Sequence, residues 1–569
     1  MNAFITSQFV ALLFVGLLLF LLTGFPVAFA LAATGLFFGF IGMELGLFPV
    51  NLFQALPLRV FGIMTNDTLL AIPFFTLMGI VLERSRMAED LLSTVAQVFG
   101  PVRGGLAMAV VMVGALLAAS TGVVAAAVIS MGLISLPIML RYGYNRSLAL
   151  GTITASGTLA QALPPSLVLI VLADQLGRSV GDMYAAAMVP GLILVGLYLA
   201  LIASVAIFKP SWAPALPPEA RIYTEPSGAS GHKSLLSLFL ISGAVAVMWA
   251  QVHESIINGW TGRPTPAPGD EVVIMSATVG SLLAFLIATV NRVLRLGWLS
   301  RLAEQVTFVL IPPLILIFLV LGTIFLGLAT PTEGGAMGAV GAMVMAVTRG
   351  RLSLGLLKQA LESTTKLSIF VMFILIGATV FSFTFNAADG HYWIEHLFDQ
   401  LPGGQVAFLL VVNLVVFILG FFIDFFEIAF IIVPLLAPVA EKLDINLIWF
   451  GIIIAMNLQT SFLTPPFGFA LFYLYSVAPR SAYIDKITQK RIGGVTIGQI
   501  YKGAIPFVLL QLLLVGVLIA KPKLVLSGLD APVEVDEGAV MDLLREMQTE
   551  DLGTSADDNV PPLLSPSIK

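Results

Sequence analysis

Two acidic residues stand in a strongly apolar stretch of the chain. Asp424 and Glu427 fall within residues 421–430, where every other side chain is phenylalanine, isoleucine or alanine. Three positions apart, they share one face of a helix. A carboxylate at the centre of a membrane helix costs about 2.5–3.5 kcal/mol unless it is paired or hydrated. Three roles therefore remain open: neutralising a bound cation, holding a helix end in place, or pairing with a basic residue of a neighbouring helix or subunit.

Hydroxyl groups and glycines recur beside two proline pairs, Pro164-Pro165 and Pro465-Pro466, which are 301 positions apart. Proline lacks a backbone donor and breaks a membrane helix, which is tolerated only where protein or a wet cavity satisfies the freed groups. Polar residues precede both breaks at 155–158 and 457–460, and they also interrupt apolar segments at 120–122 and 420–427. Hydroxyls and backbone carbonyls suit small cations, and half-helix N-termini suit a carboxylate. The alternative is that these small residues only allow close helix packing.

Composition determines the class of protein that positions these groups. The chain has 569 residues, of which 58% are hydrophobic and 11% charged, and its mean hydropathy is +1.00. These values are typical of a polytopic, all-α membrane protein. The chain has no cysteine, which excludes disulfides and thiolate nucleophiles, and it has no phosphate-binding loop. Because no catalytic constellation falls within a predicted span, we do not expect an enzyme.

An internal repeat organises the predicted spans, since Pro137 and Asn145 match Pro438 and Asn446 at the same 301-residue offset. Apolar runs of about 20 residues, each enough for one membrane helix, then define four regions. We predict a first repeat over 1–210, an inserted helix pair within 211–300, a second repeat over 301–520, and a largely disordered acidic tail over 521–569 with a short helix near 540–547. The hairpins are expected at about 104–140 and 406–440, and the broken helices at about 147–173 and 447–475.

Charge distribution indicates how the repeats lie in the membrane. If both hairpins are re-entrant and the N-terminus is outside, 20 of the 28 lysines and arginines fall in loops on the cytoplasmic side. This bias is the one that the positive-inside rule requires. The two hairpins then open to opposite sides, so the repeats are inverted, as in alternating-access transporters. A further break precedes Glu333, where Thr330 and Glu333 have the spacing of a helix-capping box.

Three motifs carry a resemblance to a known family. The stretches GTITASGTLAQALPPS (151–166), GLATPTEGGA (327–336) and NLQTSFLTPPFG (457–468) resemble the large membrane subunit of the tripartite ATP-independent periplasmic (TRAP) transporters. The resemblance implies an elevator mechanism with Na⁺ as the coupling ion and no other cofactor. It also implies a small four-helix membrane subunit and a periplasmic substrate-binding protein as partners. The protein would lie in the bacterial inner membrane with both termini in the periplasm.

The resemblance also implies where the ion and the substrate bind. The inserted helix pair and the tail depart from the usual core of the family, and so do Gln459-Thr460-Ser461. From the prolines and the capping-box spacing, we expect structural helix breaks at Pro164, Pro165, Pro331, Glu333, Pro465 and Pro466. The implied substrate and ion positions, with Na⁺ at the hairpin tips and broken helices, are Ser120, Thr121, Gly122, Ser156, Gly157, Thr158, Gly420, Asp424, Asn457 and Thr460.

We therefore expect a subunit of a Na⁺-coupled secondary transporter that imports an organic acid anion, such as a dicarboxylate. The alternative is a stand-alone Na⁺/dicarboxylate-type transporter of the same architecture that needs no binding protein.

Overall fold

The computed structural model describes residues 8–49, 51–121, 124–223, 231–262, 267–399, 402–485, 487–527 and 529. Residues Met1–Gly528 form one compact unit and Leu529–Lys569 a second, of which only residue 529 is described. The short helix expected near residues 540–547, and the tail around it, lie outside the described residues.

The first half of the chain consists of helices whose ends are set by proline, glycine and capping residues. Pro26, whose fixed φ suits a helix start, precedes α2, and Gly24 just before it has φ +78°. Ser179 caps α10 by accepting a hydrogen bond from the Asp182 amide. In chain order the helices are α1 (Phe9–Leu22), α2 (Val27–Glu44), α3 (Leu56–Met64), α4 (Ala71–Arg84), α5 (Met87–Phe99), α6 (Gly105–Thr121), α7 (Val124–Arg141), α8 (Arg146–Thr158), α9 (Leu167–Gln175) and α10 (Val180–Phe208).

The rest of the chain continues as helices, with one two-stranded ladder, Tyr483–Ile484 with Arg491–Ile492, as the only sheet among the described residues. A π-helical turn, Ile428–Ile432, lies between α18 and α19. The helices are α11 (His232–Thr261), α12 (Gly269–Leu294), α13 (Arg301–Phe325), α14 (Pro331–Thr348), α15 (Leu354–Ala387), α16 (Gly390–Asp399), α17 (Gly404–Leu419), α18 (Phe425–Glu427), α19 (Val433–Lys442), α20 (Leu447–Leu463), α21 (Phe469–Val477), α22 (Ile497–Ala520) and α23 (Lys523–Leu526).

The predicted all-α polytopic architecture is confirmed. Among the described residues, eight helices are long and apolar enough to cross a membrane, and the number rises to 10 if each of two bent helix pairs is one span. Helices α3, α5 and α16 were not predicted, because they are too short to form an apolar run of membrane length.

The 301-residue repeat is visible in the hydrogen bonding. Asn145 caps α8 by accepting from the Leu148 amide at 3.2 Å, and Asn446 caps α20 by accepting from the Trp449 amide at 3.1 Å. The two bonds are equivalent, because Asn145 and Leu148 lie 301 residues before Asn446 and Trp449, respectively. The peptide bonds Pro164–Pro165 and Pro465–Pro466, also equivalent, are both cis.

We call α6 with α7 hairpin 1, and residues 404–442, from α17 to α19, hairpin 2. Each ends on a basic residue, Arg141 or Lys442, and these are again equivalent positions. Arg141 Nε lies 3.0 Å from Asp485 Oδ1. Hydrogen bonds from Thr488 and from Arg141 lower the pKa of Asp485 to about 2, so this carboxylate stays charged at neutral pH. Lys442 is paired with Glu395 of α16. Both hairpins are therefore anchored by an ion pair at the end of their second arm.

Most of the extensive helix packing falls within two sets of helices, which also contact each other where α4 packs on α6. The hairpin 1 helices pack on α8, and α8 packs on α22, while α17 packs on α20. In the other set, α15 packs on α2 and α4, and α14 packs on α4. The broken helices therefore belong with the hairpins.

The inserted helices α11 and α12 pack against each other and against α13. A fully buried His253 joins the pair, because its Nε2 lies 2.9 Å from Glu271 Oε1 of α12. Trp249 Nε1 donates to His253 Nδ1 at 3.1 Å, so Nε2 is the ring nitrogen that carries the proton toward Glu271. This polar clamp holds the two inserted helices in register.

Candidate functional site

The two broken helices form the centre of the candidate site. Helix α8 ends at Thr158 and continues as a 3₁₀ turn, Leu159–Gln161, before the first proline pair. Helix α20 ends at Leu463, directly before the second pair, and α21 resumes at Phe469. All residues of α8 from Leu148 onward and all of α20 are buried. The first break, residues 159–166, is buried throughout, so its freed backbone groups lie inside protein, as a break at membrane depth requires. At the second break Thr464 and Pro465 are half-buried, and Pro466 and Phe467 are exposed.

The two halves meet at equivalent positions. Gln459 Nε2 of α20 lies 3.5 Å from Thr158 Oγ1 of α8, and the two residues are 301 positions apart. A contact between the same position of two copies is what a twofold axis produces. The pseudo-twofold axis of the repeat therefore passes close to this polar contact.

Two further polar side chains extend this contact into a cluster that we call the axis cluster: Thr158, Tyr198, Gln459 and Gln511. Gln511 Nε2 of α22 donates to the Tyr198 hydroxyl of α10 at 2.5 Å. The Tyr198 hydroxyl also lies within hydrogen-bonding reach of Gln459 and Thr158. All four residues are at most 2% exposed. Within the part of the chain that the structure describes, the amide oxygens of Gln459 and Gln511 have no hydrogen-bond partner, so two uncompensated acceptors lie beside the axis.

The predicted hydroxyl residues lie in these broken helices and bond to their own backbone. Ser156 donates to the Thr152 carbonyl at 2.6 Å, Thr158 to that of Ala155 at 2.9 Å, and Thr460 to that of Met456 at 2.9 Å. Each hydroxyl proton is thus engaged within its helix. The oxygen lone pairs remain as acceptors, which is the form in which a hydroxyl can coordinate a cation.

The two predicted glycines bring the hairpins against the broken helices. A Cβ on Gly157 would lie 2.3 Å from Val128 Cγ2 of α7. A Cβ on Gly420, at the tip of hairpin 2, would lie 2.2 Å from Ser461 Oγ of α20. Neither position has room for a larger residue. Close packing, which the sequence left open as an alternative, therefore accounts for both glycines.

Asn457 links α20 to hairpin 2. Its Nδ2 donates to the Asn413 carbonyl of α17 at 2.6 Å. The side-chain oxygen of Asn413 is buried and has no hydrogen-bond partner. The predicted Asn457 therefore lies at the contact between the hairpin and the broken helix.

Asp424 and Glu427 cap the start of the second arm of hairpin 2. The Asp424 amide donates to Glu427 Oε2 at 3.0 Å, and Asp424 Oδ1 accepts from the Phe425 amide at 2.7 Å. Thr330 and Glu333 form the same arrangement at the start of α14, directly before Pro331. Among the described residues, no lysine, arginine or histidine forms an ion pair with Asp424 or Glu427. Hairpin 2 thus carries two acidic groups that no basic side chain in the described part of the chain neutralises.

The remaining predicted positions belong to hairpin 1. Ser120 and Thr121 are the last residues of α6, but their side chains are not among those described, and Gly122 lies outside the described residues.

Several buried amides escaped the sequence analysis. Gln161, in the 3₁₀ turn before the first proline pair, is 0% exposed, and neither atom of its amide has a hydrogen-bond partner. Gln459 and Gln511 each have an unpartnered oxygen. The sequence feature that could have indicated these residues is a glutamine within a long apolar run. An uncharged amide, like a charged group, is costly to bury without a hydrogen-bond partner.

Comparison with known proteins identifies the family. The family described as "Tripartite ATP-independent periplasmic transporter, DctM component" matches residues 14–524. The chain belongs to this family. The resemblance found in the three sequence motifs is therefore confirmed, and the chain is a multi-pass membrane protein of the transport class.

Individual relatives differ in what their names say they carry. A "C4-dicarboxylate TRAP transporter large permease protein DctM" of Pseudomonas aeruginosa is 27% identical over 467 residues, covering 82% of this chain and 87% of that protein. A "Sialic acid TRAP transporter large permease protein SiaM" of Vibrio cholerae serotype O1 is 25% identical over 458 residues, covering 80% and 87%. An "Isethionate TRAP transporter permease protein DctMQ" of Oleidesulfovibrio alaskensis is 24% identical over 472 residues, covering 83% and 60%.

Proposed function

We propose that this chain is the membrane permease subunit of a Na⁺-coupled secondary transporter that imports an organic acid anion across the bacterial inner membrane. The observation that carries the proposal is the pair Asp424 and Glu427, two acidic groups in an apolar hairpin with no basic partner among the described residues. Ionisable groups at membrane depth mark ion pathways, and a cation is the partner that neutralises them. Na⁺ is expected to bind at the hairpin tips and at the hydroxyl residues of the broken helices.

The position of the axis cluster supports alternating access. Thr158 and Gln459 meet although they are equivalent residues of the two repeats. In transporters built from inverted repeats, substrate and ions bind near the midplane where discontinuous helices of the two copies meet. We propose an elevator movement in which the hairpins, broken helices and bound cargo shift against the helices around α2, α4, α14 and α15. Both termini would lie in the periplasm.

The relatives support the substrate class. C4-dicarboxylates, sialic acid and isethionate are all organic acids, and each is part of a relative's name. C4-dicarboxylates and sialic acid are carboxylates and isethionate is a sulfonate, so the proposed cargo is an organic acid anion, for example a carboxylate. The proposed partners are a small four-helix membrane subunit and a periplasmic protein that hands over the substrate.

Uptake into proteoliposomes tests this proposal. The full-length chain is reconstituted with the small membrane subunit, and radiolabelled lactate, pyruvate, succinate and 2-oxoglutarate are offered with the binding protein present or absent. We expect uptake of at least one acid that requires both the binding protein and an inward Na⁺ gradient, and none when K⁺ replaces Na⁺. Uptake that is equal with and without the Na⁺ gradient would contradict the coupling.

The alternative is a stand-alone Na⁺/dicarboxylate-type transporter. Proteoliposomes that contain the chain alone distinguish the two, because a stand-alone transporter takes up free acid at full rate without the small subunit and the binding protein. The match to a TRAP component over residues 14–524 favours the multi-subunit form.

A further inference from the structure

A cavity of about 420 Å³, lined by five polar and seven apolar residues, opens between the two sets of helices. Hairpin 2 contributes Phe430 and Pro434, and α9 contributes its last residue, Gln175. From the other set, α15 contributes Asn386, and α3 contributes Arg59. The volume is in the range of pockets that bind small molecules. All of these elements end on the side that the charge distribution assigns to the periplasm.

Arg59 is unusual among the basic residues of that side. The predicted outer loops hold four basic residues, and one of them lies outside the described residues. Arg178 pairs with Glu441 at 3.0 Å, and Lys442 pairs with Glu395. Arg59 has no carboxylate partner among the described residues, and its guanidinium carbon lies 6.0 Å from the centroid of the Phe383 ring. Among the described basic residues of the predicted outer loops, Arg59 is thus the one whose charge is not neutralised by a described carboxylate.

The other polar groups of the cavity do not compete for this charge. Thr379 and Ser382 line the wall formed by α15, and no carboxylate is among the lining residues. The carboxylate next in sequence is Asp174, which is already held by two amides. Its Oδ1 accepts from Asn66 Nδ2 at 2.7 Å, and its Oδ2 accepts from Gln175 Nε2 at 2.8 Å. The cavity therefore presents one free positive charge together with hydroxyl and amide groups.

We propose that this cavity captures the carboxylate group of the incoming substrate, with Arg59 as the group that attracts and binds it. The inference rests on the proposed transport of an organic anion. A guanidinium with neighbouring hydroxyl and amide groups is the donor set that recognises a carboxylate. Because one wall belongs to hairpin 2, at its π-helical turn, movement of the hairpin changes the shape of the cavity. The captured anion then passes from Arg59 to the broken helices when hairpin 2 moves.

Binding to the purified full-length chain, without any binding protein, is the first part of the test. Thermal unfolding is followed in the presence of lactate, pyruvate, succinate or 2-oxoglutarate, with succinamide as the uncharged control. The control variant Arg178→Gln removes an outer charge that is already paired. We expect at least one acid, but not succinamide, to raise the unfolding midpoint of both the wild type and this control. The rise is lost in Arg59→Gln and partly retained in Arg59→Lys.

Uptake measurements form the second part. In proteoliposomes Arg59→Gln should raise KM by roughly 10-fold or more, the loss expected for one charge-assisted hydrogen bond, while the maximal rate and the Na⁺ dependence stay close to those of the wild type. Arg178→Gln should keep the wild-type KM. The proposal is overturned if no acid stabilises the wild type, or if Arg59→Gln and Arg178→Gln behave alike in binding. Failure of Na⁺-dependent uptake in the wild type would instead contradict the proposed function, and the binding result would distinguish the two failures.

Discussion

Replacing Gln161 by leucine removes a buried amide that the fold does not use. Gln161 lies in the 3₁₀ turn between Thr158 and the first proline pair and is 0% exposed, and neither its Nε2 nor its Oε1 has a hydrogen-bond partner. Leucine has a similar volume and no polar atom. The substitution therefore eliminates two unsatisfied groups without leaving a large cavity.

The expected effect on stability follows from the cost of such groups. Each buried unsatisfied donor or acceptor costs about 1–3 kcal/mol, so Gln161→Leu should raise the free energy of unfolding by about 2 kcal/mol or more. The place of the amide at the helix break indicates that it also hydrogen-bonds the transported anion. Uptake should then fall by roughly 10-fold or more, which is the value of one hydrogen bond to a charged group. The variant should thus be more stable and less active.

Gln97→Leu provides the matched control. The Gln97 Nε2 donates to the Ala220 carbonyl, and its Oε1 accepts from the Ile222 amide, both at 3.0 Å. Removing this satisfied amide should lower stability by about 1 kcal/mol. Thermal unfolding midpoints of the purified proteins and Na⁺-driven uptake are measured for both variants. A lower midpoint for Gln161→Leu would refute the reasoning about stability, and wild-type uptake in a stabilised Gln161→Leu would refute a role in transport.

Two further substitutions test other parts of the candidate site. Asp424→Asn should keep the helix cap, because asparagine also caps helices well, but should strongly reduce the Na⁺ dependence of uptake. The control Glu333→Gln, which alters the corresponding cap of α14, should leave the Na⁺ dependence of uptake unchanged. Unchanged Na⁺ dependence in Asp424→Asn would contradict the role assigned to Asp424. Gly157→Ala places a Cβ 2.3 Å from Val128 Cγ2 and should cost about 1–3 kcal/mol of stability. Gly196→Ala, with nothing within 4 Å, should be neutral or stabilising, and equal midpoints of the two glycine variants would show that the close packing is not required.

Local chemistry made several features readable from the sequence. Gly24 and Pro26 mark the break before α2 in the sequence, and the spacing of Thr330 and Glu333 predicts the helix start at α14. The Asp424–Glu427 pair has the same three-residue spacing. Its capping role was less evident, because the cost of burying a carboxylate pointed first to ion binding or ion pairing.

Other features could not be predicted from local pattern. Helix α5 mixes apolar and polar residues along its length, so a count of continuous apolar residues misses it. Helix α15 begins well before its apolar run, which starts at Leu367, so the same count makes α15 too short. The contact of Thr158 with Gln459 depends on how the two repeats are placed around their axis. The 301-residue offset shows that the two positions are equivalent but not that they touch.

Cross-linking tests the elevator movement most directly, because the natural chain has no cysteine. The Asn66 side chain, just before α4, donates to Asp174 of α9 at 2.7 Å and thereby joins the helices proposed to stay fixed to those proposed to move. Cysteines at positions 66 and 174, bridged by a short thiol cross-linker, should block uptake until the link is cleaved. The control places cysteines at positions 67 and 332, which touch within the fixed set because Thr332 Oγ1 donates to the Asp67 carbonyl at 2.6 Å. The elevator mechanism predicts loss of uptake only for the 66–174 link, and wild-type uptake by the protein cross-linked between 66 and 174 would contradict it.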